Sequence, residues 1–172
     1  AVIAGDGIGN EVIPEAMKVL EAVGRKYDLS FSFDEKDWSC ERFHKTGMMM
    51  PEDGLDSIRE HDSILLGAVG FPGVPDHISL WGLLIPIRRD FQQYVALRPV
   101  RLFEGMPCPL VGREPGDIDF FIVRENNEGE YSEIGGRMYK GTNNEAAIQQ
   151  SIFTRIGTDR IMRYAFELAI NR

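Results

Sequence analysis

The chain has 172 residues, 43% of them hydrophobic, and a formal net charge of −8. That hydrophobic share supports a packed core rather than disorder, and the length suits one domain or one and a half. No apolar run approaches the roughly 20 residues of a membrane span, and a chain this acidic is a poor partner for nucleic acid.

Ala1–Ala4 reads as a short buried strand already under way, so residues are expected before it. GDGIGN turns the chain into a helix from about Asn10 to Lys26, with Val12, Ile13, Ala16, Met17, Leu20 and Val23 at helical spacing. Asn10 suits the N-cap, and Pro14 falls near the first turn. LSFSF (29–33) alternates like a strand. MMMPEDGLDSIREH suggests a short helix opened by Pro51. SILLGAVG (63–70) is a continuous apolar run, the pattern of a parallel strand covered on both faces. Strand and helix alternate, which argues for an α/β fold with a mostly parallel open sheet and helices on both faces.

FPGVPDH is loop, and SLWGLLIPIRRDF (79–91) reads as a helix that Pro86 must bend or limit. YVALRPVRLF (94–103) is a strand made irregular by Pro99. IDFFIV (118–123) reads as a buried strand that runs into RENNEGEY. YSEIGGRMYK (131–140) suggests a hairpin turning at Gly135-Gly136. EAAIQQSIF is a further strand, and Arg155–Asn171 a closing helix.

Cys40 and Cys108 lie far apart with no CxxC spacing, and His44, His61 and His77 form no metal-spaced group. Reduced thiols in a cytoplasmic protein are the expectation. Arginine far outnumbers lysine. A guanidinium grips a carboxylate at two points, which points to a small acidic ligand. Arg88, Arg98 and Arg124 sit at strand and helix positions from which they can converge on a di- or tricarboxylate. Tyr131 is a candidate proton donor beside such a cationic cluster. GDGIG places glycines at a helix N-terminus, where a nucleotide phosphate can approach, but Asn10 replaces the third glycine of the dinucleotide fingerprint. Asp76, His77 and Trp81 lie in or beside the loop after GAVG, at the carboxyl end of a parallel strand. Glu125, Glu128 and Glu130 read first as solvated loop residues, with capping or positioning of neighbouring groups as the alternative.

GDGIGNEV, GMMMPEDGLD, LLGAVGFPGVPDHISLWG, FQQYVALRPVRL, DFFIVRENNEGEYS and SIFTRIGTDRIMRYAFELA together resemble the β-decarboxylating dehydrogenases, the isocitrate and isopropylmalate dehydrogenase group. VPDHISLWG and VRENNEGEYS are similar to the D-malate and tartrate branch. The resemblance implies oxidative decarboxylation of a 2-hydroxy dicarboxylic acid, D-malate or tartrate, with hydride transfer to NAD and help from Mg²⁺ or Mn²⁺. It implies substrate binding by Arg88, Arg98 and Arg124, with Leu84 facing the substituent at C3 and Tyr131 as the catalytic proton donor. Ile8, Gly70 and Trp81 then line the cofactor cleft. An asparagine of the family is replaced by Ala96. The resemblance further implies that residues 1–97 belong to the cofactor-side domain. Residues 98–172 then open a second domain with a dimer-clasp hairpin near 131–150. The catalytic lysine and the aspartate metal ligands are expected beyond Arg172, no metal ligand within it, and no turnover from these residues alone. Two alternatives stay open: a 3-isopropylmalate dehydrogenase, and a non-catalytic substrate-binding or regulatory subunit of the same family.

Overall fold

The computed structural model describes residues 1–172, which form two compact units, Ala1–Asp90 and Phe91–Arg172. The first unit carries β1 (Val2–Gly5), α1 (Gly9–Tyr27), β2 (Glu35–Lys36), α2 (Cys40–Thr46), α3 (Gly54–Ser57), β3 (Leu65–Ala68), α4 (Asp76–Ser79) and α5 (Ile85–Asp90). Its sheet is parallel with strand order β2-β1-β3, as the alternation of strand and helix predicts. The α1 stripe of Ile13, Ala16, Met17, Leu20 and Val23 faces inward, and Val12 is exposed. At Gly9 any side chain would collide with the Ala4 carbonyl, so glycine lets the helix start close against β1.

Several local expectations are corrected. Asn10 does not cap α1; the cap position is Ile8, without a side-chain bond. Pro14 therefore lies in the second turn. The carbonyl it leaves unpaired belongs to Asn10, an exposed residue whose backbone water can reach. LSFSF is not a strand. Only Glu35 and Lys36 ladder to β1. The alternation instead stacks Phe31 on Phe33, with ring centroids 6.2 Å apart, and Phe31 packs toward Gly24 of α1. β3 is half-covered rather than buried on both faces, and Leu66 is exposed. Pro86 does not end its helix. A π-helical turn over Leu80–Leu84 joins α4 to α5, with the Ile85 N–H reaching back to the Leu80 carbonyl. The wider turn absorbs the donor that proline removes. The sequence reading also missed α2, although Ser39 caps it by accepting from the Arg42 N–H and Gly47 closes it in the left-handed region.

The second unit carries β4 (Val95–Arg101), β5 (Asp119–Glu125), β6 (Gly129–Met138), β7 (Ala146–Ile152) and α6 (Arg155–Ile170). β4, which the expected 97/98 boundary would divide, lies wholly within this unit. β4 and β5 form one antiparallel pair, β6 and β7 another. β5 is not the buried strand expected of IDFFIV: Phe120, Phe121 and Ile122 are exposed. A two-stranded ladder has only one helix, α6, against one of its faces. Gly135 and Gly136 are not at a turn either. Both pair within the β6–β7 ladder, with Gln149 and Ile148, and the connection runs through residues 139–145. The buried hydrophobic side chains, among them Ile3, Ile13, Trp38, Ile58 and Leu83, all belong to the first unit.

Candidate active site

In the second unit the strand register selects which side chains meet. Ala96 pairs with Arg124 and Arg98 with Ile122, so Arg98 and Arg124 are diagonal neighbours on one face of the β4–β5 ladder. Ala96 presents only a methyl opposite Arg124. The other face carries Asp119, Phe121 and Glu125, and α6 packs there. Arg160 bonds Glu125, and Arg172 pairs with Asp119 and lies over Phe121. A period of two thus gives one arginine-bearing face and one helix-covered face.

Arg124 is half-buried. Its Nη2 donates to the Tyr131 hydroxyl at 2.8 Å and to Asn126 Oδ1 at 3.4 Å, and its guanidinium lies 5.2 Å from the centre of the Tyr131 ring. Because arginine only donates, the phenol oxygen accepts, and the phenol hydrogen must point away from Arg124. Arg124 has no carboxylate partner in the chain. Arg98 is exposed and makes no ion pair or hydrogen bond within the chain. Two guanidinium groups without an anion on one face are a ready receptor for carboxylates. The turn that brings Tyr131 back to Arg124 depends on Gly129, buried at φ +73° with the Phe153 ring 2.8 Å from where a Cβ would stand.

The first unit supplies a separate set. Leu84 and Arg88 are four residues apart and share one half-buried side of the helical run, while Leu83 and Ile87 fill the core. Arg88, like Arg98, makes no ion pair or hydrogen bond within the chain. Trp81 lies in the π-helical turn with the Arg89 guanidinium 4.9 Å from its ring centre. Ile8 is 57% exposed. Ile8 and Gly70 follow β1 and β3, at the carboxyl edge of the parallel sheet, where ligands of open α/β sheets bind. A side chain at Gly7 or at Gly70 would meet open space, so the backbone of this edge is unobstructed and suits an extended cofactor.

Sequence reasoning missed the residue that holds this edge together. Asp6 is 4% exposed. Its carboxylate accepts from the Cys40 N–H at 3.0 and 3.2 Å and from the Gly70 N–H at 3.1 Å. It thereby ties the first glycine turn to the start of α2 and to the Gly70 loop. An acid between two glycines was the only signal in the sequence. The buried Cys40 thiol is pushed up to about 11, first by burial and then by the Asp6 carboxylate. It is a packed thiol rather than a nucleophile.

No three His, Cys, Asp or Glu side chains converge within residues 1–172. These residues do not fit a divalent metal by themselves. No helix is long and apolar enough to cross a membrane.

Comparison with known proteins gives the family and the fold. The family described as isocitrate/isopropylmalate dehydrogenase matches residues 1–172. The chain is 58% identical to the decarboxylating D-malate dehydrogenase of Escherichia coli (strain K12), over all of this chain and 48% of that enzyme. It is 56% identical to a tartrate dehydrogenase/decarboxylase of Pseudomonas putida, again over all of this chain and 48% of the relative. The chain therefore spans about half the length of the curated relatives it matches. The isocitrate dehydrogenase of Methylococcus capsulatus superposes with a TM-score of 0.79 at 29% identity, covering 99% of this chain and 47% of that one. A β-decarboxylating dehydrogenase of Thermococcus kodakarensis superposes at 0.60 with 31% identity, covering 99% of this chain and 45% of that one. The α/β architecture and the match of the family along residues 1–172 together establish that this chain belongs to the isocitrate/isopropylmalate dehydrogenase family.

Proposed function

We propose that the whole protein oxidises and decarboxylates D-malate or tartrate, with NAD as hydride acceptor. The observation that carries this reading is the pair Arg98 and Arg124 on one strand face, without protein anions, with Tyr131 held 2.8 Å from Arg124. Two arginines suit the two carboxylates of a hydroxy-diacid; Arg88 is assigned to the same substrate on the family likeness alone. The relatives named for D-malate and tartrate share more than half of this chain's residues.

The chemistry follows from the substrate. C2 loses hydride and its hydroxyl loses a proton, giving a ketone; the carboxylate borne by C3, β to that ketone, leaves as CO₂, and the electrons of the broken bond pass through the enolate until C3 takes up a proton. NAD, when bound, takes the hydride. Arg98 and Arg124 hold the carboxylates, and Arg88 shares that role on the family likeness, so that the substrate is oriented before reaction. Leu84, on the same side of its helix as Arg88, faces the group at C3. Tyr131 delivers the proton to C3, its hydroxyl hydrogen directed away from Arg124. Ile8, Gly70 and Trp81 line the cofactor cleft. Mg²⁺ or Mn²⁺ is assigned to ligands outside residues 1–172. The arm formed by β6 and β7 is assigned to a homodimer contact, because a lone hairpin is marginal in water. The protein is placed in the cytoplasm.

The test is a substrate panel with the full-length protein, NAD and Mn²⁺. Turnover of D-malate or tartrate well above that of 3-isopropylmalate is expected. A preference for 3-isopropylmalate, or no turnover of any of the three, overturns the reading.

A further inference from the structure

Between Arg124 and Tyr131 the chain passes through Glu125, Asn126, Asn127, Glu128, Gly129 and Glu130. Two of the three glutamates in this stretch are fastened to the start of α6. Glu125 leaves β5 on the face opposite Arg124. It receives Arg160 Nη2 at 2.9 Å and Arg160 Nε at 3.3 Å, with side chains only 11% and 23% exposed. Glu125 also accepts from the Asn127 N–H at 2.9 Å. Arg160 in turn lies 4.6 Å from the centre of the Tyr94 ring. Buried Asn126 closes the loop against the same segment, its N–H bonding the Tyr94 carbonyl at 2.9 Å and its Nδ2 the Gln93 carbonyl at 3.1 Å.

Glu128 makes the second attachment. Its carboxylate accepts from the Thr154 N–H at 2.8 Å and from the Thr154 hydroxyl at 2.6 Å. Thr154 is the N-cap of α6, and its hydroxyl oxygen accepts from the Gly157 N–H at 3.0 Å. Gly157 is buried, and any side chain there would occupy the space of the Glu128 carboxylate. The glycine of FTRIG is therefore the room that this glutamate needs. A carboxylate beside a helix N-terminus also gains from the helix dipole. Hydrogen bonding from Thr154 holds the Glu128 carboxyl below its ordinary value of 4.5, so it is charged at neutral pH.

We infer that Glu128 and Glu125 are positioning residues, which use the first two turns of α6 as a fixed support and so set the placement of Tyr131 against Arg124. Neither touches substrate in this scheme. Each removes freedom from a loop whose two ends carry the carboxylate clamp and the proton donor. The inference rests on the roles proposed above for Arg124 and Tyr131. It goes beyond them in assigning Thr154, Gly157 and Arg160, about thirty residues downstream, to the geometry of the reaction.

The experiment uses the full-length protein with D-malate, NAD and Mn²⁺. Glu128→Ala and Gly157→Ala remove the same attachment from opposite sides, and Glu128→Gln retains a partial acceptor. Misplacing a reacting group by about 1 Å costs up to roughly 100-fold, so kcat is expected to fall about 10- to 100-fold in both alanine variants. Glu128→Gln should be intermediate, and KM for NAD should stay within about twofold in all three. In a Tyr131→Phe background Glu128→Ala should add little further loss of kcat, because the group it positions is already gone. Wild-type kcat in both Glu128→Ala and Gly157→Ala, or a loss that is fully additive with Tyr131→Phe, overturns the inference while the site reading stands. Unchanged kcat/KM in Arg124→Ala and Tyr131→Phe themselves overturns the site reading and the inference with it.

Discussion

Arg124 and Glu125 are adjacent in sequence, yet their side chains leave β5 on opposite faces. Arg124 reaches the Tyr131 hydroxyl, and Glu125 reaches Arg160 of α6. One residue of register separates the group assigned to substrate from the group that holds the strand against its helix. A slip of one residue would exchange them.

The first prediction concerns the substrate side of that pair. Arg124→Ala in the full-length protein removes a charge-assisted carboxylate contact, which should cost about 2–3 kcal/mol of transition-state binding. That corresponds to a loss of roughly 30- to 160-fold in kcat/KM for D-malate. Steady-state kinetics checks it, with Tm as the control for folding. Arg124→Lys should recover only part of the loss, because an ammonium cannot bond the carboxylate in two places.

Asp6→Ala should weaken the cofactor edge. It leaves the Cys40 and Gly70 N–H groups without their acceptor in a largely buried place. Each orphaned donor costs about 1–3 kcal/mol. A fall in Tm and a rise in KM for NAD are expected, with KM for D-malate changing less. Thermal melts and initial rates at varied NAD separate the two effects.

Cys40 should resist alkylation while the protein is folded. Iodoacetamide at pH 8 should modify half-buried Cys108 and leave Cys40 intact until denaturant is added, as peptide mass mapping would show. The sign for stability follows from the raised thiol. The folded protein favours the neutral form, so this contribution is complete below the ordinary value of 9.0 and is lost as pH rises through about 11. Denaturation midpoints of wild type and Cys40→Ala should converge over that interval.

Glu128 gives the opposite pH dependence. Its carboxyl is lowered in the folded state, first by the Thr154 side-chain hydrogen bond. Its contribution is therefore present above the ordinary value of 4.5 and is lost as pH falls through the depressed folded value. The difference in Tm between wild type and Glu128→Gln should hold constant near neutrality and shrink in acid. A difference that stays unchanged to low pH would show that the Thr154 contact does not depend on charge.

Local pattern was enough to locate most of the elements. The α1 stripe, the apolar run of β3, the ladder partners β4 and β5, β7 and the α6 helix follow from hydrophobic period and punctuation, which are properties of neighbours in sequence. The same signals failed where a distant partner decides. LSFSF alternates like a strand, but only two residues after it find a β1 edge to bond. Gly135-Gly136 looks like a turn, but β7 is long enough to pair through it. IDFFIV is apolar apart from Asp119, but α6 covers only one of its faces.

The candidate site divides in the same way. Arg88, Arg98, Arg124 and Tyr131 were candidates because guanidinium groups can converge on a carboxylate and a phenol beside them can give a proton, and the family motifs then singled them out. The family likeness, carried by motifs along the whole chain, was likewise legible from residues alone. Asp6 was not, and for Glu125 and Glu128 positioning was only the second reading, since a carboxylate reads as solvated until its donors are known. Those donors are Cys40, Gly70, Arg160 and Thr154, which lie from 26 to 64 positions away along the chain. The sequence by itself determined the family and singled out the groups to which the chemistry is assigned. Only the tertiary structure decided which face of β5 each group occupies and which acids hold the others in place, because hydrogen bonds between distant segments exist only once the chain has folded.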